Sequence, residues 1–283
     1  MCASAAPSSG RESEARAMTI GFVGGGVMGE AIIAGLLNTG LATAADVVAC
    51  DIAPARREHL AQTYGIRTTD RAPEAIAGAE IVILAVKPQE FAAAAQSLAG
   101  SLKPDQTVMS IMAGVTIASI REALRHEAVV RAIPNTPARI GEGVTVWTAT
   151  GNVSPATRER VRSVLAVLGQ EAYVTDEKYV DMATAVSSSG PAYIFLVMEA
   201  LIDAAVHIGL RRDMAEAMVI QTILGSARYA QTTGKHPAEL KNQVTSPGGT
   251  TAEGLQALEE AAVRAAFVRA VQAAYEKARR LGG

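Results

Sequence analysis

Two glycine-rich segments of the chain have the composition and spacing of anion-binding turns. The first is Gly24-x-Gly26-x-x-Gly29, which follows an apolar run and precedes a helical pattern. In this motif Gly24 permits a tight strand-to-helix turn, Gly26 lets a pyrophosphate approach the backbone, and Gly29 lets the helix pack closely on the strand. The N–H groups at the helix start then face the phosphates, with Val27 and Met28 beside them. The motif predicts a dinucleotide site.

An acidic residue supports this prediction. The run Asp46–Asp51 is a second apolar strand that ends in Asp51, 22 residues after Gly29, about where a ribose-binding acid is expected. Asp51 favours a free 2′-hydroxyl, whereas Arg56 and Arg57 suit a 2′-phosphate. The sequence therefore leaves open whether the cofactor is NADH or NADPH.

Three later loops follow strands of the same region, where open α/β sheets bind their ligands. Lys87 emerges at a strand end, and its stem suits the wall of a nicotinamide ribose site; the alternative is an ordinary surface lysine. A small-residue turn after the next strand allows a flat ring to approach, or is a plain connection. Asn135, between two prolines, presents its amide to the cofactor or closes an Asx turn. The candidate cofactor contacts in these loops are Ala85, Val86, Lys87, Pro88, Met112, Ala113 and Asn135.

The second glycine-rich segment is Ser246-Pro247-Gly248-Gly249-Thr250-Thr251, which leads into a helical pattern. Thr250-x-x-Glu253 has the spacing of a capping box, so a helix cap is one interpretation of Thr250. A glycine-rich turn before a helix also offers free N–H groups to a small anion such as a carboxylate. Thr251 adds a hydroxyl at the same place. The chain thus combines a predicted nicotinamide site with a predicted carboxylate site.

Apolar runs and helical stretches alternate from residue 19 to about 175. Strands that are apolar throughout belong in a parallel sheet covered on both faces, so we predict a doubly wound α/β domain. The predicted strands are Thr19–Gly24, Asp46–Asp51, Ile81–Val86, Thr107–Ile111, Val129–Ile133, Val144–Ala149 and Ala172–Val174. The predicted helices lie near 27–38, 55–64, 89–99, 116–125 and 155–168.

The strand signal stops after about residue 176. A helix is predicted from Pro191 to about His207, a second to about Thr232 with Asp213 as its cap, and a short third opening at Pro237. A long alanine-rich helix is predicted from Thr251 to Arg280. The stretch 192–206 is apolar on nearly all sides, so it needs cover that a region of this size cannot supply. A partner subunit is therefore expected.

Composition bounds the class of protein. Apolar residues make up 49% of the 283, which suffices for a large core, and the net charge of −2 argues against nucleic-acid or anionic-membrane partners. No apolar run reaches the roughly 18 residues of a membrane span without a charge. With only Cys2 and Cys50, no disulfide framework is expected, and a cytoplasmic location is the default. No metal site is predicted, because the histidines lie outside the motifs.

These motifs, in this order, resemble those of pyrroline-5-carboxylate reductases. The resemblance extends from Met18 to about Ala278. The segments that carry it are Ile20–Met28, Ala85–Pro88, Ala113–Thr116, Arg131–Pro137, Gly190–Tyr193 and Val244–Thr251. The chain departs from the family pattern at Ser188, where a glycine is usual, and at Ala72, where many members have an asparagine near the cofactor.

The resemblance implies NAD(P)H-dependent reduction of Δ1-pyrroline-5-carboxylate to L-proline. It also implies a Rossmann domain followed by an all-helical domain that forms a homodimer, often assembled into a decamer as a pentamer of dimers. By residue, it implies that Ser246, Gly249, Thr250 and Thr251 hold the substrate carboxylate, with the Thr251 hydroxyl near the ring nitrogen as the catalytic group. We therefore expect an extension at 1–17 without order, a dinucleotide-binding domain at 18–175 and a substrate-binding and dimerisation domain at 176–283.

Two other classes of protein fit parts of the sequence. A β-hydroxyacid dehydrogenase also joins a Rossmann domain to a helical one, but its chemistry calls for a lysine base in the first helix of the second domain. This chain has no lysine between Ser187 and Lys235. A nicotinamide-sensing protein without turnover is the non-enzymatic alternative, and the intact Ser246–Thr251 segment argues against it.

Overall fold

The computed structural model describes residues 18–281, and within them eight strands form one sheet. The strands are β1 Ile20–Val23, β2 Val47–Cys50, β3 Arg67–Thr69, β4 Ile81–Leu84, β5 Thr107–Ser110, β6 Val129–Ile133, β7 Gly143–Ala149 and β8 Gly169–Tyr173. Their spatial order is β3-β2-β1-β4-β5-β6-β7-β8. All neighbours are parallel except β6 and β7, which are antiparallel. The predicted doubly wound, mostly parallel sheet is confirmed.

Helices cover both faces of this sheet, and the described residues after β8 form helices without further strands. Those of the α/β part are α1 Val27–Asn38, α2 Pro54–Tyr64, α3 Ala72–Ile76, α4 Phe91–Ser97, α5 Ile117–Leu124 and α6 Pro155–Ala166. Those that follow the sheet are α7 Lys178–Ala183, α8 Gly190–His207, α9 Arg212–Thr233, α10 Pro237–Gln243, α11 Thr250–Glu260 and α12 Val263–Leu281. The helical region that was predicted after about residue 176 is therefore present.

The strands are buried because both faces of the sheet are covered. All residues of β1, β4, β5 and β6 are buried, and two hydrophobic clusters lie on opposite faces of the sheet. The register pairs Val23 with Cys50 on one side and with Leu84 on the other, and Leu84 with Ser110. The carboxyl ends of β2, β1, β4 and β5 therefore lie at one edge, where the loops predicted to bind the cofactor begin.

The α/β part departs from the sequence prediction in its short elements. Strand β3 and helix α3 were not predicted, because β3 is a short, partly exposed edge strand with a polar sequence and α3 has only five residues. The last strand was predicted at Ala172–Val174 and runs instead over Gly169–Tyr173. The extension at residues 1–17 lies outside the described residues.

The helical part departs more. The helix predicted to begin at Pro191 is the second half of a continuous helical segment that starts at Lys178, with a π-helical turn at Thr184–Ser188 joining α7 to α8. Ser188 lies in this π-helical turn. Asp213 does not cap α9, because the N-cap is Arg211 and its side chain donates to Asp213.

The long helix predicted from Thr251 to Arg280 is two helices. Ala262, between α11 and α12, has a positive φ of 54°, which ends one helix and turns the chain into the next. The prediction failed because residues 255–280 contain no glycine or proline, so the sequence around Ala262 carries no breaker signal.

Helices α8 and α9 expose a broad apolar surface. No residue of α8 is buried, and Phe195 and Leu196 are 58% and 64% exposed. Within residues 18–281, the segment Lys178–His207 is long and apolar enough to span a membrane by length and composition, a test that core helices of soluble proteins also pass. An unpartnered face of this size on a protein surface marks an interaction site.

Candidate active site

The turn between β1 and α1 is shaped by close backbone packing. Gly24 has a φ of +98°, and a Cβ there would lie 2.6 Å from the carbonyl oxygen of Ala85. A Cβ on Gly29 would lie 2.9 Å from the Gly24 oxygen, so α1 could not approach β1 with any larger residue. Apart from the two chain neighbours of Gly26, no atom of the described residues lies within 4 Å of a Cβ built there, and Val27 beside it is 58% exposed. The turn is thus closely packed at Gly24 and Gly29 and open at Gly26, which leaves room for a phosphate. We call residues Gly24–Gly29 the cradle.

Asp51, directly after β2, is fixed by backbone donors. Its Oδ2 accepts from the Gly25 N–H at 2.9 Å, and its Oδ1 accepts from the Ala53 N–H at 2.9 Å. The first bond joins the end of β2 to the glycine turn, and the second lies within the loop that follows β2. The sequence predicted that Asp51 lies near this turn, and the structure brings the two together.

A side-chain cluster that the sequence did not suggest lies behind the turn. Glu30, in the first turn of α1, forms an ion pair with Arg56 of α2, whose Nε donates to the Gly25 carbonyl oxygen. Glu30 Oε1 also lies 2.8 Å from His59 Nε2 and accepts from the Tyr64 hydroxyl at 2.9 Å. Burial alone raises the pKa of Glu30, but the hydrogen bonds from His59, Arg56 and Tyr64 outweigh it and lower the pKa to about 2.

The loops after β4 and β5 lie at the same edge. Ala85 contacts the glycine turn as described, and a Cβ on Gly24 would also meet the backbone nitrogen of Val86 at 2.9 Å. Lys87 is exposed and precedes a short 3₁₀ turn that begins at Pro88. Met112 is buried, with its N–H donating to the Ser110 hydroxyl at 3.2 Å, and Ala113 is half-buried beside it.

Asn135, after β6, bonds to the backbone at the start of β7. Its Oδ1 accepts from the Val144 N–H at 2.9 Å, across the connection to β7, so it closes no Asx turn. The side chain is 9% exposed. Only the amide NH₂ remains to face a ligand, and the main effect of Asn135 in the chain is to hold the start of β7.

A buried arginine connects the sheet to the helical region. Arg131 of β6 is 1% exposed, and its guanidinium donates to Glu177 Oε1 at 2.7 Å and to Asp181 Oδ1 at 2.5 Å. Glu177 also accepts from the Ile117 N–H at the start of α5. A charged residue inside an otherwise apolar strand was the sequence signal for this contact. The cluster fixes α7, and hence the start of the helical region, against the sheet edge.

The second glycine-rich segment forms the turn before α11. Gly248 has a φ of +65°, and a Cβ on Gly249 would lie 2.4 Å from Ser246 Oγ. Among the described residues, the N–H groups of Thr250 and Thr251 have no acceptor and the Thr251 hydroxyl has no hydrogen-bond partner. Thr251 is half-buried, whereas Thr250 is exposed.

The predicted capping box is wrong. The N-cap of α11 is Gly249 and not Thr250, and the Glu253 N–H bonds to the Gly249 carbonyl instead of a threonine hydroxyl. Free donors at the N-terminus of an eleven-residue helix suit a carboxylate. Among the residues described, no hydrogen bond joins this turn to the glycine turn on the sheet.

Two sequence families match the chain. The first is described as pyrroline-5-carboxylate reductase dimerisation and matches residues 177–281. The second is described as NADP oxidoreductase coenzyme F420-dependent and matches residues 19–114. The first match contains α7 to α12 with the exposed apolar helices, and the second contains the glycine turn, Asp51 and the loops after β4 and β5.

Relatives of known sequence and structure cover nearly the whole chain. Pyrroline-5-carboxylate reductases from Synechocystis sp. and Pseudomonas aeruginosa are each 40% identical, over 93% and 90% of this chain and 98% and 96% of their own lengths. The structure of such a reductase from Coxiella burnetii has a TM-score of 0.87 at 33% identity, covering 94% of this chain and 99% of that one. The Plasmodium falciparum enzyme, solved with NADP bound, has a TM-score of 0.86 at 29% identity over 94% and 98% of the two chains. The chain therefore belongs to the pyrroline-5-carboxylate reductase family.

Proposed function

We propose that the protein reduces Δ1-pyrroline-5-carboxylate to L-proline, using NADH or NADPH. The observation that carries this proposal is the pair of receptors: an open cradle at Gly24–Gly29 for a dinucleotide and a turn at Ser246–Thr251 with free N–H donors for a carboxylate. Each is matched to a ligand of the proposed reaction, and family membership supports the pairing.

The residues of the cradle fit a dinucleotide. The open space above Gly26 and the start of α1 suit the pyrophosphate, and Asp51 suits the adenosine ribose. Val27 and Met28, at the start of α1, would lie beside the phosphates. The remaining predicted contacts follow β4, β5 and β6, towards the nicotinamide: Ala85, Val86, Lys87, Pro88, Met112, Ala113 and Asn135. No metal is needed in this scheme.

The substrate carboxylate would lie at the N-terminus of α11. Ser246, Gly249, Thr250 and Thr251 form the turn, and the unpaired Thr250 and Thr251 N–H groups donate to the carboxylate. The half-buried Thr251 hydroxyl then lies beside the ring nitrogen, where it donates a hydrogen bond or relays a proton.

Reduction of a cyclic imine needs little acid–base assistance. The bound cofactor supplies the hydride, and a protonated or hydrogen-bonded C=N accepts it at carbon. A threonine hydroxyl is too weak an acid to act alone, so Thr251 either polarises the imine by a hydrogen bond or relays a proton that comes from water. The main task of the chain is to hold the substrate ring against the nicotinamide, because proximity supplies most of the rate.

We also propose that the protein works as a homodimer in the cytoplasm, with neither membrane nor nucleic acid as a partner. Helices α8 and α9, which expose the apolar surface, lie within the segment that matches a dimerisation family. We therefore expect a second copy of the chain to bury the apolar side chains of α8. Assembly of five dimers into a decamer is a further part of the proposal. We also propose a domain boundary between residues 175 and 176; the end of β8 at Tyr173 and the start of α7 at Lys178 support it.

A spectrophotometric assay tests the proposed reaction. Purified protein should oxidise NADH or NADPH when Δ1-pyrroline-5-carboxylate is supplied, and not without it. A 3-hydroxy acid with NAD⁺ or NADP⁺ is the control for the dehydrogenase alternative. Turnover of the hydroxy acid with none of the imine acid would overturn the proposal, and cofactor binding without any turnover would favour a sensor.

A further inference from the structure

Two charged side chains next to the glycine turn, Arg56 and Glu30, form an ion pair. Arg56 is the arginine next to the glycine turn, and it is held by two acceptors: the carbonyl oxygen of Gly25 and the carboxylate of Glu30. The side chains of Arg56 and Glu30 are 25% and 22% exposed, so the pair is partly shielded from water. Arg56 is therefore folded back onto the turn instead of extending into solvent.

Glu30 is itself fixed on its other side. Tyr64 donates a hydrogen bond to Oε1 at 2.9 Å, and His59 lies 2.8 Å from the same oxygen. These contacts keep the carboxylate ionised and directed at Arg56. A glutamate with this many partners in the first turn of α1 is not explained by the binding of a pyrophosphate, since it adds a negative charge near an anion site.

The second arginine is also partly neutralised. Arg57 donates to the carbonyl oxygens of Asp51 and Ile52, and its Nη2 lies 3.9 Å from Asp70 Oδ2. Asp51, Glu30 and Asp70 together carry three negative charges against the two of the arginines. The surroundings of the ribose acid thus have a net negative charge, which opposes a 2′-phosphate and tolerates a 2′-hydroxyl.

We propose that Glu30 is a specificity-determining residue of the cofactor site: by pairing with Arg56 it withholds that arginine from a 2′-phosphate and shifts the preference of the site towards NADH. This inference rests on the proposed function, because it presupposes that the cradle binds a nicotinamide dinucleotide. It extends that function by assigning a role to a residue that is not among the predicted cofactor or substrate contacts.

The test compares two ligands that differ only in the 2′-phosphate. Calorimetry measures the dissociation constants of adenosine 2′,5′-bisphosphate and of 5′-AMP for the intact protein, and kcat/KM is measured with NADPH and NADH. Glu30→Gln keeps the size of the side chain and removes the charge. It should tighten the bisphosphate about five- to tenfold relative to 5′-AMP, since one opposing charge is lost. The NADPH to NADH ratio of kcat/KM should rise by a similar factor.

Two control variants distinguish an effect of the Glu30–Arg56 pair from a general effect of removing negative charge or loosening the site. Glu58→Gln removes the same charge from an exposed position on α2 and should leave both ratios unchanged. Tyr64→Phe loosens Glu30 without removing its charge and should change the ratios less than twofold. In the double variant Glu30→Gln/Arg56→Gln the gain should disappear, because the freed arginine is its source.

Several results would overturn the inference. One is an equal change of both ligands in Glu30→Gln, which indicates a structural role only. Another, independent of whether that variant folds, is a tenfold loss of bisphosphate affinity relative to 5′-AMP in Arg56→Gln alone, because Arg56 would then already serve the phosphate. If the wild-type protein binds neither nucleotide nor either cofactor, the proposed function itself fails.

Discussion

A structural role and a catalytic role of Thr251 predict different changes in stability and in kcat when the residue is substituted. Because Gly249 is the N-cap of α11, Thr251 is the second helical residue, and its hydroxyl bonds to no described residue. Thr251→Ala therefore removes no cap. Alanine also has the better helix propensity, by a few tenths of a kcal/mol, so the melting temperature should stay constant or rise slightly.

The catalytic forecast is much larger. A hydrogen bond to a group that carries charge contributes about 1.5–3 kcal/mol. If the Thr251 hydroxyl donates to the imine nitrogen in the transition state, Thr251→Ala should lower kcat about 10- to 150-fold. Thr251→Ser keeps the hydroxyl and should retain most of the activity.

Steady-state kinetics and thermal melts of the same preparations separate the two roles. Thr250→Ala is the matched control: its side chain is exposed and makes no cap, and only its N–H contributes to the turn, so kcat should change little. Wild-type turnover in Thr251→Ala would refute the assignment. A loss of about 0.5–2 kcal/mol in stability with unchanged kcat would show instead that Thr251 is a cap.

Three further predictions follow from the contacts. Arg131→Met leaves Glu177 and Asp181 without their cation and should lower the free energy of unfolding in denaturant by about 3 kcal/mol. Asp181→Asn removes only one of the two ion pairs and should cost less; an equal loss in both variants would contradict a role of Arg131 in holding both carboxylates. Leu196→Glu places a charge on the exposed apolar face and should give monomers in light scattering, whereas Ile140→Glu, outside residues 177–281, should not; a monomeric wild type would contradict the dimer. Because the folded pKa of Glu30 is depressed from 4.5 to about 2, its contribution is complete above pH 4.5 and is lost as the pH falls towards 2. Screening limits that contribution to about 1–2 kcal/mol, so at fixed protein concentration the melting-temperature gap between wild type and Glu30→Gln should narrow from pH 6 to pH 3, and a constant gap would refute this.

The α/β part could be predicted from the sequence because its signals are local. Apolar runs bounded by turns predict the central strands, and the spacing of the glycines with Asp51 predicts one edge of the sheet as a site. The edge strand β3 escaped because Arg67–Thr69 is polar and short. Local signals were also sufficient for the turn before α11, although the cap lies at Gly249, one residue earlier than predicted.

The features that the sequence did not predict depend on contacts between residues far apart in the chain. Arg56 and Glu30 lie 26 residues apart, and nothing in their local sequence indicates that they pair. Arg131 and Asp181 are 50 residues apart and meet only because β6 ends beside α7. The turn at Ala262 has no glycine, so the chain direction there is set by packing and not by residue type.

In the proposed reaction, hydride passes from the cofactor to the imine carbon. Enzyme incubated with Δ1-pyrroline-5-carboxylate and NADPH or NADH carrying deuterium on the transferred face of C4 tests it directly, with the product analysed by mass spectrometry and NMR. We predict L-proline with one deuterium, on the ring carbon next to nitrogen that does not bear the carboxylate. Unlabelled proline, or oxidised cofactor without proline, would contradict the account.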